Sequence, residues 1–223
     1  MKQGPSLEEL LTPAAKEDLK RRNPSSYEEF IDNLYQDLRF AISTLKSGRQ
    51  HHQRKSEDEI SDHLISQLSS SYKVPLPRDN QDGGHCDLSF QIVTPKYEIY
   101  KWKAEAKLWK GKSWAEDGMS QLIDSYAHAD LNNDQGSLLL YCVKPNPLDK
   151  LKEWKDMVNK MDCFLSLEET KDPYEFTSVH MSPSQIEYSV RHFFIHLHHP
   201  PYDAIRAKAL HKDKALRKKL PFH

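Results

Sequence analysis

Cysteine is scarce in this chain. Its three copies among 223 residues, Cys86, Cys142 and Cys163, are odd in number, widely spaced and without a C-x-x-C pair, which argues against a disulfide framework and a structural zinc site. Free thiols are expected, two of them in or beside strands. Long apolar runs are missing too: nowhere do about 18 apolar residues follow one another, as a membrane span needs. Met1-Lys2-Gln3-Gly4-Pro5 lacks the charged-then-apolar order of a secretory signal, so a cytoplasmic protein with no membrane partner is expected. Nor does either charge dominate. With 32 Lys and Arg against 33 Asp and Glu the formal net charge is -1, which does not announce a nucleic-acid binder. The average conceals two basic concentrations, the lysines between Lys101 and Lys112 and the run from Arg206 to Lys219, and leaves room for a basic groove.

What is present suits one soluble α/β domain. Hydrophobic residues make up 37% of the chain and the mean hydropathy is -0.80, so a heavily charged surface surrounds short apolar runs. A short helix capped by Ser6 and Glu9, broken at Pro13, is expected before Pro24. From Ser26 to Lys46, Tyr27, Phe30, Ile31, Leu34, Leu38, Ala41, Ile42 and Leu45 recur at helical spacing and predict a long amphipathic helix. A polar loop over 47–55 leads to a helix over about 56–70 that opens with Ser56 and Glu59, the two ends of a capping box. Alternating runs predict an antiparallel hairpin, 87–93 with 97–108. An aromatic loop over 109–115, a helix over about 116–131 and a buried central strand over 137–143 follow. A helix over 148–161, strands over 174–181 and 189–196 and a basic helical C-terminal segment complete the reading.

The chemistry concentrates between Gly83 and Trp114. A strand period of two sends Glu105 and Lys107 to one face and Trp102, Ala104, Ala106 and Leu108 to the other. Asp87 starts the partner strand, and the hairpin brings it within reach of Glu105 across the 18 positions that separate them. Two carboxylates so placed can hold Mg²⁺, which keeps several waters and takes few protein ligands. A lysine beside such an ion serves phosphodiester hydrolysis, where negative charge grows in the transition state. Read alone, Glu105 and Lys107 are far more simply a strand-surface ion pair and Asp87 a turn acid, since surface charge pairs are common. Glu57 lies on the edge of the buried face of its helix, where its carboxylate either points to a site or favours the positive helix end.

The set Glu57, Gly84-His85-Cys86-Asp87-Leu88, Glu105-Ala106-Lys107 and Gln121 resembles the PD-(D/E)XK nuclease superfamily, the fold of many restriction endonucleases and Holliday-junction resolvases. The resemblance implies a central mixed β-sheet flanked by helices. It would have a helical extension over residues 1–50, a nuclease-like core over 51–200 and a basic tail over 201–223, all in one compact domain. It implies that Asp87 and Glu105 bind Mg²⁺ or Mn²⁺ together with the carbonyl of Ala106, that Lys107 serves the attacking water, and that Glu57 completes the acidic site. The family's proline before the aspartate is replaced by Cys86. Gln121 resembles the glutamine of the family's Q-x-x-x-Y, a candidate for substrate or water contact. Tyr126 stands one residue late, and its spacing with Leu122 favours core packing.

Around this set, His85 is a candidate for phosphate or carboxylate contact, or a turn residue. Trp109, Lys110, Lys112 and Trp114 suit phosphates and exposed bases, or a solvated loop with folded-back tryptophans. His192, His196, His198 and His199 lack the companion ligands of a transition-metal site and read as a polar sheet face or a phosphate-facing strand. The expectation is a metal-dependent nuclease acting on DNA in preference to RNA, alone, as a homodimer or with a regulatory partner. The resemblance extends to effectors of bacterial anti-phage defence. The alternative is a binding module on the same fold.

Overall fold

The computed structural model describes residues 11–69, 86–126 and 132–200. Ser6, Glu9, His85, the side chain of Tyr126 and the tail over 201–223 lie outside these. Pro13, expected to break the first helix, instead opens α1 (Pro13–Arg22), with the Thr12 hydroxyl accepting from the Ala15 amide at 3.2 Å. Proline fits there because its missing N–H is one that a helix start leaves unbonded. The long amphipathic helix forms as α2 (Tyr27–Ser47), capped by Ser26. All eight residues expected to point inward are buried, and Tyr35 joins them. Truncating one, as in Leu38→Ala, is expected to cost about 2–5 kcal/mol. Next comes α3 (Glu57–Leu68), in which the capping box is complete: the Glu59 amide donates to Ser56 Oγ at 3.2 Å and the Ser56 amide to Glu59 Oε2 at 2.8 Å.

The hairpin forms from β1 (Leu88–Val93) and β2 (Ile99–Leu108), antiparallel from Leu88 opposite Ala104 to Val93 opposite Ile99. The helix after it, α4 (Lys112–Ser120), starts about four residues earlier than its apolar pattern suggests and continues as a π-helical turn over Gln121–Tyr126. Gly111 precedes it at φ 139, a conformation that only glycine adopts without strain, and this lets the chain turn into the helix so soon after β2. Then follow β3 (Gln135–Cys142), α5 (Pro147–Val158), β4 (Phe164–Glu169), β5 (Glu175–Met181) and β6 (Glu187–His196). The sequence reading missed β4. Among the described residues it pairs only with β5, and a bulge between Phe164 and Ser166 leaves Leu165 45% exposed, so its period of two is broken.

The protein is an α+β structure with a six-stranded mixed open sheet in the order β1-β2-β3-β6-β5-β4. In its middle β2, β3 and β6 run parallel, and β3 is buried along nearly its whole length, as its unbroken apolar run implies. One face packs against α2 and α3 through Trp102, Ala104, Ala106, Leu139, Tyr141 and Ile195. The segment before residue 50 thus supplies α2 to the same apolar cluster as α3 and the sheet. The other face packs against α4 and α5 through Leu138, Leu140, Cys142, Val190 and Phe194. Glu175, 2% exposed, accepts from Arg39 of α2 (Nε, 2.9 Å) and Arg191 of β6 (Nη1, 3.0 Å), so its buried charge is paired and ties helix to sheet. Among the described residues no helix is long and apolar enough to cross a membrane.

Candidate active site

The site begins where pairing between β1 and β2 ends. With Leu88 opposite Ala104, the last residues of β2 extend past the start of β1. In a strand the N–H and C=O of one residue point to the same side and successive residues alternate. Ala106 and Leu108 therefore turn their peptide groups away from β3 and toward this gap. Two carboxylates fill it: Asp87 Oδ2 accepts from the Ala106 amide at 2.8 Å, and Glu57 Oε2 from the Leu108 amide at 2.6 Å. Charge-assisted bonds of this kind are strong. They fix one oxygen of each side chain, and by the same alternation the Ala106 carbonyl faces the site.

On the α4 face, Glu105 and Lys107 are neighbours as the strand period requires, with Lys107 Nζ donating to Glu105 Oε2 at 3.3 Å. The ammonium also stands 3.7 Å from Glu57 Oε1 and 4.0 Å from Asp87 Oδ2. One lysine thus sits among three carboxylates from three separate parts of the chain. Burial, followed by the nearby Asp87 charge, pushes the Glu105 carboxyl up to about 8 although Lys107 opposes this. Burial by itself works against the charge on Lys107, but Glu105, Asp87 and Glu57 together outweigh it and raise its pKa. Lys107 is therefore held as a cation.

Its path is made by a residue the sequence reading passed over. A Cβ on Gly118 of α4 would come within 2.8 Å of Lys107 Cγ and 3.2 Å of Leu138 Cδ1, so the helix lies directly on the lysine stem. The available signal was a glycine inside a helical pattern, which costs about 1 kcal/mol against alanine and calls for a packing reason.

Among the described residues no three His, Cys, Asp or Glu side chains already converge to hold an ion by themselves; the carboxylates converge on the ammonium. Their chemistry nonetheless fits a hard divalent cation. Glu57, Asp87 and Glu105 all offer oxygens, Glu105 Oε1 is buried without a hydrogen-bond partner, and the three carboxylates face one lysine, leaving negative charge in excess.

The other expected contacts divide. Gln121 heads the π-helical turn with its side chain exposed, and no hydrogen bond joins it to Glu57, Asp87, Glu105 or Lys107. Trp109, considered for stacking on bases, is instead 5% exposed and packs edge-on against Phe194 with ring centroids 5.3 Å apart. Its backbone is locked as well, the amide donating to the Tyr141 carbonyl at 2.9 Å. Lys110 and Lys112 are exposed, and Lys110 Nζ lies 4.0 Å from the ring centre of Trp114, itself 41% exposed. Lys112 and Trp114 belong to the first turn of α4, not to a loop.

The histidines separate in the same way. His192 is a core residue, stacked on Phe176 at 4.1 Å. Trp154 Nε1 donates to His192 Nδ1 at 3.2 Å, and since indole N–H only donates, the neutral imidazole must carry its proton on Nε2. That nitrogen lies 2.7 Å from Ser178 Oγ, which lies 2.7 Å from His180 Nε2, and His180 Nδ1 is 3.5 Å from Cys163 Sγ. One direction satisfies every member: His192 donates to Ser178, Ser178 to His180, and His180 to the sulfur. Burial holds His180 down at about 4 and His192 well below its ordinary value, so the relay stays neutral. Cys86, Cys142 and Cys163 are free, and burial raises all three thiols, Cys86 to about 12. None is set up as a nucleophile.

Compared with known protein families, curated proteins and solved structures, the chain finds no match.

Proposed function

We propose that this protein is a metal-dependent nuclease that hydrolyses phosphodiester bonds of DNA, with a restriction-endonuclease-like core. The observation that carries this reading is the position of Lys107 Nζ, within 4.0 Å of carboxylates from Glu57, Asp87 and Glu105. The residues arrive from the start of α3, the entry to β1 and the end of β2, in the order the resemblance requires.

Asp87, Glu105 and the Ala106 carbonyl would hold Mg²⁺ or Mn²⁺, with Glu57 beside them; the ion supplies a bound water of lowered pKa and Lewis-acid polarisation of the phosphoryl oxygen. The chain's own residues do the rest. The amides of Ala106 and Leu108 hold the Asp87 and Glu57 carboxylates in place, so the acidic side chains need little reorganisation. Lys107 stays protonated and donates a hydrogen bond to the oxygen on which negative charge grows. Gly118 keeps its stem lying flat beneath α4. A bacterial anti-phage setting suits a small nuclease of this kind.

The test is incubation of the purified protein with Mg²⁺ or Mn²⁺ and plasmid, linear duplex, single-stranded DNA and RNA. Metal-dependent cutting of DNA is expected, absent in Asp87→Asn and in Lys107→Ala, with Lys107→Ala still binding DNA. Binding without cutting under every condition would leave a binding module on a nuclease-like fold, and preferential cutting of RNA would move the substrate.

A further inference from the structure

A second feature lies at the same end of the sheet and differs in charge from the acidic site. A cleft is lined by His51, Gln53 and Arg54 from the α2–α3 connection, by Lys144 after β3, and by His198 and His199 after β6. Among the described residues no carboxylate lines it, whereas three stand around Lys107. Its walls are built in. Gln53 Nε2 donates to the Leu197 carbonyl and to the Arg49 carbonyl, which ties the connection to the end of β6. The amides of His52 and Lys55 donate to Arg49 and His52 carbonyls at 3.1 and 3.3 Å, and His198 Nδ1 lies 3.2 Å from the Val143 carbonyl. His198 Nδ1 therefore carries a proton, and its other ring nitrogen is not taken up by that bond.

The cleft also lies near the end of β2. Leu108 pairs with Tyr141, and Val143, on the cleft wall, is two residues further on, just past the end of β3, about 7 Å at the parallel rise of about 3.3 Å per residue. From the other side, Arg54 precedes Glu57 by three positions in the sequence. A strand whose phosphate lies at Lys107 would meet a cationic surface next.

We infer that this cleft binds the phosphate backbone of the DNA strand being cut, through Arg54, Lys144 and the histidines, beside the acidic site. It reads charge rather than sequence, because among the described residues no tryptophan, tyrosine or phenylalanine lines it to stack on bases. This rests on the nuclease reading but fails separately from it.

The experiment measures binding of a short fluorescein-labelled DNA by anisotropy in EDTA, so that nothing is cut. Arg54 and Lys144 are exposed, and the double variant Arg54→Ala with Lys144→Ala should fold normally, which thermal unfolding checks. Loss of two phosphate contacts should weaken binding about tenfold or more and lower the log–log salt slope by about 2. Removing the same charge on exposed Lys16 and Lys20 of α1 should change affinity less than twofold. Equal losses from both pairs, or none from the cleft pair, would overturn the inference even if the protein cuts DNA. So would displacement of the DNA by inorganic phosphate at an equal concentration of phosphate groups, since the cleft would then hold lone phosphates. Selective loss in a protein that cuts no nucleic acid would keep the cleft and sink the nuclease.

Discussion

Gly118 of α4 lies against Lys107 of β2 so closely that a single added methyl would come within 2.8 Å of the lysine Cγ and 3.0 Å of its Cε. Gly118→Ala must therefore displace the lysine stem and carry its ammonium away from the three carboxylates. A gain of up to about 1 kcal/mol in helix propensity offsets part of the strain, so stability should change little. DNA cleavage should fall about tenfold or more, a rise of about 1.4 kcal/mol in the barrier. Parallel cleavage rates and thermal melts check this; unchanged cutting would show that the lysine tolerates the shift.

Glu105 gives the metal-free protein a stability that declines toward alkaline pH. The native carboxyl keeps its proton up to about 8, whereas in the unfolded chain it ionises near 4.3. Between those values the native state binds more protons, so stability falls as pH rises through that window. In a chelator, Glu105→Gln should flatten this slope and unfold at higher denaturant than the natural protein at pH 8, by on the order of 2 kcal/mol. Equal slopes for the two proteins would show that Glu105 is already ionised near neutrality.

Burial of His180 produces the opposite trend in acid. His180 is neutral in the fold down to about 4, while the unfolded residue takes a proton near 6.5. Its contribution is complete above about 6.5 and is lost as pH falls toward 4. Ser178→Ala at neutral pH strands a buried imidazole N–H and should cost about 2 kcal/mol. His180→Gln should shrink the acid slope. Urea titrations across pH 4–7 measure both; a Ser178→Ala protein as stable as the natural one would break the relay assignment.

The two tryptophans flanking Lys112 should behave unlike each other. Trp109 fills the core, so Trp109→Ala should destabilise by about 3–5 kcal/mol. Trp114 is 41% exposed, and Trp114→Ala should shift stability by less than about 0.5 kcal/mol. If Trp114 contacts DNA, its alanine variant weakens binding while the fold stays intact. Denaturation midpoints and anisotropy on both variants separate packing from contact.

Local rules carried much of this in the sequence. Helical spacing named the buried face of α2, and Ser56 with Glu59 marked the start of α3, because each depends on residues within a few positions. The period of two on β2 likewise paired Glu105 with Lys107. Tertiary relationships were less legible. Trp109 directly follows the site, yet its ring turns into the core, and nothing within a few residues records that Phe194 waits for it. Gln121 follows Lys107 in the expected order, but the geometry around it is that of a π-helical turn, which the helical period of α4 does not announce. Of Glu57's two readings, helix-end acid and site acid, the bond to the Leu108 amide joins it to β2 across 51 positions, a partner its own helix does not reveal.

That bond and its counterpart from Asp87 decide how the site should be probed. Alanine at either position removes a charge and also strands a peptide N–H that no neighbouring strand engages. A dead alanine variant could have lost its chemistry or the end of β2, with that amide open to pairing with another chain. Asparagine at 87 and glutamine at 57 keep an acceptor oxygen for the amide and discard only the charge. They are the substitutions whose failure speaks about catalysis.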